Sequence, residues 1–110
     1  EDIALLKLGR HFRHLTNKII VGRNEAENKT LLQRKSENDY CFEVVSCGSP
    51  ITLLQGPKTA RAIREAAALT AYHSDEKSGK VTIRFGRKLD DNTLTVSLPE
   101  KTHVDSLRIV

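Results

Sequence analysis

The 110-residue sequence predicts an α+β fold, a mixed, largely antiparallel sheet with two helices in a single domain, and three observations carry that expectation. In the last third Val81, Ile83 and Phe85 alternate with Lys80, Thr82 and Arg84, the period-two pattern of a half-buried strand. Ile63, Ala66, Ala67, Thr70 and Ala71 fall at helical spacing on one stripe. Asn24, three residues before Glu27 and just after the apolar run Ile19-Ile20-Val21, has the spacing of a helix cap. The length suits one modest core and is too short for two independently stable domains.

Taken in order, Ile3 to Leu8 and Asn17 to Val21 read as strands, and the basic stretch Gly9 to His14 between them can form another. A helix is expected from about 25 to 35, opened by the Asn24 cap, with Glu27 returning a bond to the Asn24 amide. Cys41 to Val45 and Ile51 to Leu54 bracket Gly48-Ser49-Pro50, a turn composition that predicts a hairpin. Gly56-Pro57 breaks the chain before a second helix, expected from about 58 to 74. Two antiparallel strands follow around Asp90-Asp91-Asn92, and Val104 to Val110 is expected to add a last strand. There is no internal repeat, low-complexity tract or interior linker.

Charge is distributed more tellingly than its total. Eighteen Lys and Arg against 14 Asp and Glu give a net charge of +4, a weak pointer to an anionic partner. Residues 3 to 23, however, hold Lys7, Arg10, Arg13, Lys18 and Arg23 with no acid among them, and residues 77 to 88 repeat this with Lys77, Lys80, Arg84, Arg87 and Lys88. Arginine forks flank Phe12 and Phe85, so phosphate-pairing groups and rings lie together, as RNA recognition requires; solvated edge residues are the plainer reading. No apolar run approaches the roughly 18 to 20 residues of a membrane span, and the N-terminus lacks a secretory pattern, so a cytoplasmic protein with no membrane partner is expected. The sequence holds no methionine, and a parent protein larger than this chain is expected.

Few residues point to bond-making chemistry. Gly22-Arg23-Asn24 could offer amides to a phosphate, but Glu25 and Glu27 already complement the helix dipole, which favours a simple cap. His11 and His14 supply two ligands where a zinc site needs three or four, and the spacing of Cys41 and Cys47 is not that of a zinc knuckle, so no metal and no cofactor are expected. Both cysteines are expected to be reduced. A nucleophilic pair of Cys41 or Cys47 with His103 stays open against the plainer reading of a small buried side chain and a loop thiol. No catalytic residue is assigned.

The order KIIVGRNEAENKTL, DYCFEV…GSPITLLQG, AIREAAALTAYHS and KVTIRFG resembles the RNA-binding module of the NFACT family, found in ribosome-associated quality-control factors that engage tRNA. The resemblance covers roughly residues 17 to 99. Gly22, Arg23, Asn24, Asn28, Gly48, Tyr72 and Ser74 match that module, whereas Cys41 and Glu43 stand where its members have tryptophan and histidine after the aspartate. The preceding LLKLGRHFRH is similar to a sub-branch resembling the C-terminal domain of predicted tRNA thiouridylases, ATP-dependent sulfurtransferases.

The resemblance implies an RNA-binding, tRNA-binding accessory domain of a tRNA-modifying, thiouridylase-like enzyme, itself non-catalytic and partnered by the parent's N-terminal enzyme domain. The residues expected to bind RNA are Arg10, Phe12, Arg13, Lys18, Arg23, Arg84 and Arg87, with Phe12 a stacking platform if it faces outward. Two alternatives stay open: a basic face docking on a protein, either the parent enzyme or the ribosome, and a sulfur carrier at Cys41 or Cys47.

Overall fold

A computed structural model describes residues 7–109. Its strands are β1 (Arg10–His14), β2 (Asn17–Val21), β3 (Tyr40–Val44), β4 (Thr52–Gln55), β5 (Lys80–Gly86) and β6 (Asn92–Ser97). The described helices are α1 (Glu25–Arg34), α2 (Ala60–Tyr72) and α3 (Lys101–Leu107). The strands form one sheet in the order β1-β2-β4-β3-β5-β6, and every adjacent pair is antiparallel. The expected hairpin of β3 and β4 forms, with β4 inserted beside β2. The expected strand over Ile3–Leu6 lies outside the described residues, and Lys7 and Leu8 sit in the bend before β1.

Helices pack on both faces of the sheet, α1 covering only part of one. Register places Phe12 opposite Ile19, Ile19 opposite Leu54 and Phe42 opposite Phe85, so these side chains share one face. There they meet Ala62, Ala66, Ala67, Leu69 and Ala71 of α2, whose small side chains let the helix approach closely. On the other face Ile20, Leu53 and Cys41 pack with Leu31 of α1. Inside the larger cluster Thr70 Oγ1 hydrogen-bonds the Thr52 hydroxyl at 2.8 Å and the Ala66 carbonyl at 2.7 Å, so two buried hydroxyls are satisfied.

Two expectations are corrected. The described residues hold three helices rather than two, because residues 101 to 107 form α3 where a last strand was expected. Pro99 precedes it, Val104 is buried and Leu107 packs one turn on, so a single short apolar stripe docks on β1. The extended chain survives only beyond the helix, where Arg108 bridges Phe12 and the Ile109 N–H donates to the His11 carbonyl at 3.1 Å.

The cap of α1 also differs in detail. Asn24 Oδ1 accepts from the Glu27 N–H at 2.9 Å, as expected, but the Glu27 carboxylate returns to the N–H of Arg23 rather than to that of Asn24. The reason is electrostatic: the same carboxylate also takes the Arg23 guanidinium, a charged donor.

Candidate nucleic-acid interface

The antiparallel register gives the sheet two ends. Arg10, Val21, Thr52 and Val44 lie at one, and His14, Asn17, Gln55, Tyr40 and Gly86 at the other. The predicted basic residues divide between these ends and the exposed sheet face.

At the first end the β2–α1 junction, the β3–β4 turn and the C-terminus of α2 surround a cleft of about 440 Å³. Its floor depends on glycine at two points. A Cβ at Gly22 would lie 2.0 Å from Asn28 Oδ1, and one at Gly48 would lie 2.3 Å from Asp75 Oδ2. Asn28 fills the first position because its Oδ1 accepts from the Ile51 N–H at 2.9 Å, while the Gly22 N–H donates to the Ile51 carbonyl at 2.9 Å. Asp75 is anchored by its backbone N–H on the Gly48 carbonyl at 2.9 Å.

Arg10 and Arg23 both line this cleft. Burial pushes the Arg10 guanidinium below the usual arginine pKa, and repulsion by Arg108 and Arg23 adds to it. Among the described residues no hydrogen bond or ion pair holds that guanidinium. Arg23 differs, since Glu27 pairs with it and is itself held down at about 2. His73 completes the wall: its Nδ1 lies 2.9 Å from the Leu69 carbonyl, which can only accept, so Nδ1 carries the proton. Burial lowers the pKa of this ring, opposed by the bond to Leu69, and the neighbouring Arg10 and Arg108 lower it further.

The second end carries Lys18 and Arg87, joined there by two cations that the sequence reading missed. Lys58 sits 5.4 Å from the centre of the Tyr40 ring, and burial depresses its pKa, opposed by Asp39 and reinforced by Arg87 and Lys35. Arg87 donates to Asn38 Oδ1 at 3.3 Å. Nothing in the periodicity marks Lys35 or Lys58, because one follows α1 and the other precedes α2, and it is the fold that brings Lys58 within reach of Lys35, Asp39 and Arg87.

The remaining predicted residues are placed as follows. Arg13 is exposed and stands opposite Lys18 in the β1–β2 register. Arg84 pairs with Glu43 on the neighbouring strand, with its Nε 3.0 Å from Oε1. Phe12 is fully buried against α2, so its ring is core and does not meet the condition for a stacking platform. Inward pointing follows from its register partner Ile19, which is itself wholly buried.

Chemistry at the other singled-out residues is muted. Among the described residues no group of three or more His, Cys, Asp and Glu is arranged to hold a metal. Cys41 is buried, its Sγ directed at the Gly86 carbonyl 3.4 Å away, and burial raises its pKa. Both cysteines are free thiols. His103 pairs with Glu65 at 2.8 Å, not with a cysteine. No described helix is long and apolar enough to cross a membrane.

Of the seven positions that carried the resemblance, Gly22, Arg23, Asn24, Asn28 and Gly48 border this cleft, although 20 residues separate Asn28 from Gly48, while Tyr72 and Ser74 do not line it. A family model described as "NFACT protein RNA binding domain" matches residues 9–107. No curated protein matches the chain. Among solved structures, the C-terminal of the fibronectin/fibrinogen-binding protein from Streptococcus suis (FBPS) is similar in fold, with a TM-score of 0.82 and 17% identity over 99% of this chain. The chain spans about half of that structure, 53% of its length.

Proposed function

We propose a tRNA-docking role on the premise that this chain belongs to the NFACT protein RNA-binding domain family, whose model spans nearly all the described residues. RNA is the partner class that membership gives. The finer reading is that the RNA is a tRNA, and that this is an accessory domain of a thiouridylase-like enzyme whose sulfur chemistry resides in a separate N-terminal enzyme domain. What supports the parent assignment is the resemblance of residues 5 to 14.

The observation that carries the docking mechanism is the grouping of cations at both ends of the sheet. Arg10 and Arg23 at one end, and Lys18, Arg13, Lys35, Lys58 and Arg87 at the other, would engage phosphates along a folded RNA, with Arg84 between them. Binding of this kind proceeds by counterion release and is steeply salt-dependent, by roughly 0.7 to 0.9 log units per phosphate for each log unit of salt. Arg23 and Arg84 would each exchange a carboxylate for a phosphate on docking, a weaker gain than at Arg10 or Arg13.

That same pairing of Arg23 and Arg84 favours a second reading, a protein partner with an acidic face on the parent enzyme or the ribosome. Titrating the chain with tRNA, duplex DNA and an acidic protein across a salt series separates the two. Preferred binding of tRNA with a slope of several units is expected. Binding to the acidic protein alone would overturn the tRNA reading.

A further inference from the structure

The cleft at the first end of the sheet differs from a plain phosphate patch. Its lining mixes signs: Arg10 faces it, yet Asp75 and Glu25 border it too. A run of phosphates or an acidic peptide would be repelled by those two carboxylates. A ligand with one anionic group and a polar, neutral remainder would not.

Each wall offers a group the fold leaves unused. The Arg10 guanidinium lines the cleft partly withdrawn from water, with Arg108 and Arg23 near it, Glu27 opposing them in part, and no anion bonded to it among the described residues, so an incoming phosphate would relieve an electrostatic cost. Asn28 spends its Oδ1 on the Ile51 N–H, which fixes the amide plane and leaves the Nδ2 hydrogens as donors without a partner among the described residues. The Asp75 carboxylate is an acceptor, held over the space that glycine at position 48 leaves open by the Asp75 N–H bond to the Gly48 carbonyl. Among the described residues His73 is the one aromatic ring lining the cleft, held by its bond to Leu69, by edge contact with Tyr72 at 5.1 Å between centroids and by the Phe12 ring at 5.7 Å. A cation, an amide donor, a carboxylate acceptor and an aromatic plane are what recognition of an unstacked nucleotide uses. The volume of about 440 Å³ is in the range of small-ligand sites and far too small for a duplex.

We infer that this cleft receives a single unpaired nucleotide, its phosphate on Arg10, its base against His73 and its polar edge on Asn28 and Asp75. The inference rests on the RNA-binding reading and deepens it: the cations elsewhere hold the RNA backbone, while the cleft samples one residue of a loop or end. Specific contact to a base edge is the only element here that could discriminate sequence, since phosphate contacts carry none.

The test is an amide chemical-shift titration of the isotopically labelled 110-residue chain with inorganic phosphate, the four nucleoside 5′-monophosphates, a single-stranded RNA oligonucleotide and a duplex RNA with the same number of phosphates. Monophosphates and single-stranded RNA should move Gly22, Asn28, Gly48 and His73, and inorganic phosphate should move them less. Asn28→Asp keeps the acceptor for Ile51 and replaces the donor, and Arg10→Gln removes the cation. Each should reduce the preference for single-stranded over duplex RNA by about fivefold to tenfold, the loss of one hydrogen bond, with amide dispersion unchanged. Equal shifts from inorganic phosphate and nucleotides would reduce the cleft to an anion site and overturn the inference. So would single-stranded RNA binding that leaves the cleft unmoved, an outcome under which the RNA-binding reading survives. Monophosphates that bind the cleft while neither RNA binds would instead sink the RNA reading and leave a site for free nucleotides.

Discussion

Glu27 accepts two hydrogen bonds from the Arg23 guanidinium, at 3.0 and 2.7 Å, and a third from the Arg23 backbone N–H at 2.9 Å. One carboxylate therefore closes the N-terminus of α1 and neutralises one of the two arginines that line the cleft. Glu27→Gln keeps the hydrogen-bonding shape and releases the charge. RNA affinity at low salt should rise, and the salt slope should steepen by about 0.7 to 0.9, one additional phosphate. Fluorescence anisotropy across a salt series reads both, and an unchanged slope would place Arg23 outside the RNA footprint.

The same pair has a pH signature. Glu27 is depressed from 4.5 to about 2, first by the Arg23 hydrogen bond. A carboxylate with a lowered folded-state pKa contributes stability that is fully present above its unfolded value and is lost as pH falls through the folded one. The stability difference between the wild type and Glu27→Gln should thus be constant above about pH 5 and shrink steadily as pH falls from there through about 2. Urea midpoints measured at intervals across that window check it, and a gap that keeps its full size down to pH 2 would contradict the pairing.

Phe12→Ala should act on stability rather than on recognition. The ring is fully buried beside Ile19 and Val21 and lies 5.7 Å from the His73 ring centre. Removal of a buried phenyl costs about 3 to 5 kcal/mol. Chemical denaturation should show that loss, while Phe12→Leu should retain most of the stability and essentially all of the RNA affinity. A Phe12→Leu variant that is stable yet fails to bind RNA would return the ring to the interface.

Leu15 is the one described non-glycine residue at positive φ, 54°, and it is 78% exposed at the β1–β2 turn. A branched side chain in the left-handed region costs roughly 1 kcal/mol, and asparagine tolerates that region better. Leu15→Asn should therefore raise stability by about 0.5 to 1 kcal/mol, read from thermal unfolding. A drop in stability would show that the exposed leucine makes a contact in solution that outweighs its backbone strain.

Strand alternation, the α2 stripe and the Asn24 cap were readable because each depends on neighbours within a few positions. Phe12 shows where that stops. Alternation put Arg10 and Phe12 on one side of β1, but whether that side faces α2 or water is decided by residues 62 to 71, far along the chain. The same holds for α3, whose two apolar anchors, Val104 and Leu107, give too short a period to separate a helix from a strand. Of the site, Gly22 and Asn24 were legible as a local turn and cap, and Asn28 only through the family resemblance. That Gly48, His73 and Asp75 close a cleft around them depends on the crossover topology, and Lys35 and Lys58 join Arg87 only through it.

Cys41 is buried with a raised pKa, caused first by desolvation. Thiolate is the alkylating species, so Cys41 should react with iodoacetamide far more slowly than half-buried Cys47 at pH 7 to 8, and readily only after denaturation. Peptide mass mapping of a timed reaction distinguishes the two sites. A Cys41 that reacts as fast as a free thiol in the native state would make it a serious candidate for carrying sulfur.

The two ends of the sheet give the last test, because they ask whether one RNA spans the domain. Arg10 opens β1 and Arg87 directly follows β5, four strand spacings away across the sheet, about 19 Å at roughly 4.8 Å per strand. Arg10→Glu and Arg87→Glu share no contact, so their effects on binding free energy should add if both meet the same RNA. Each reversal should weaken tRNA binding and flatten the salt slope by about one phosphate, and the double variant should show the sum of both changes. High salt should shrink all three effects, as screening requires. A short single-stranded oligonucleotide that fills only the cleft should respond to Arg10→Glu and ignore Arg87→Glu. If tRNA behaves like that oligonucleotide, the footprint is confined to the cleft end, and the cations around Asp39 serve a different partner.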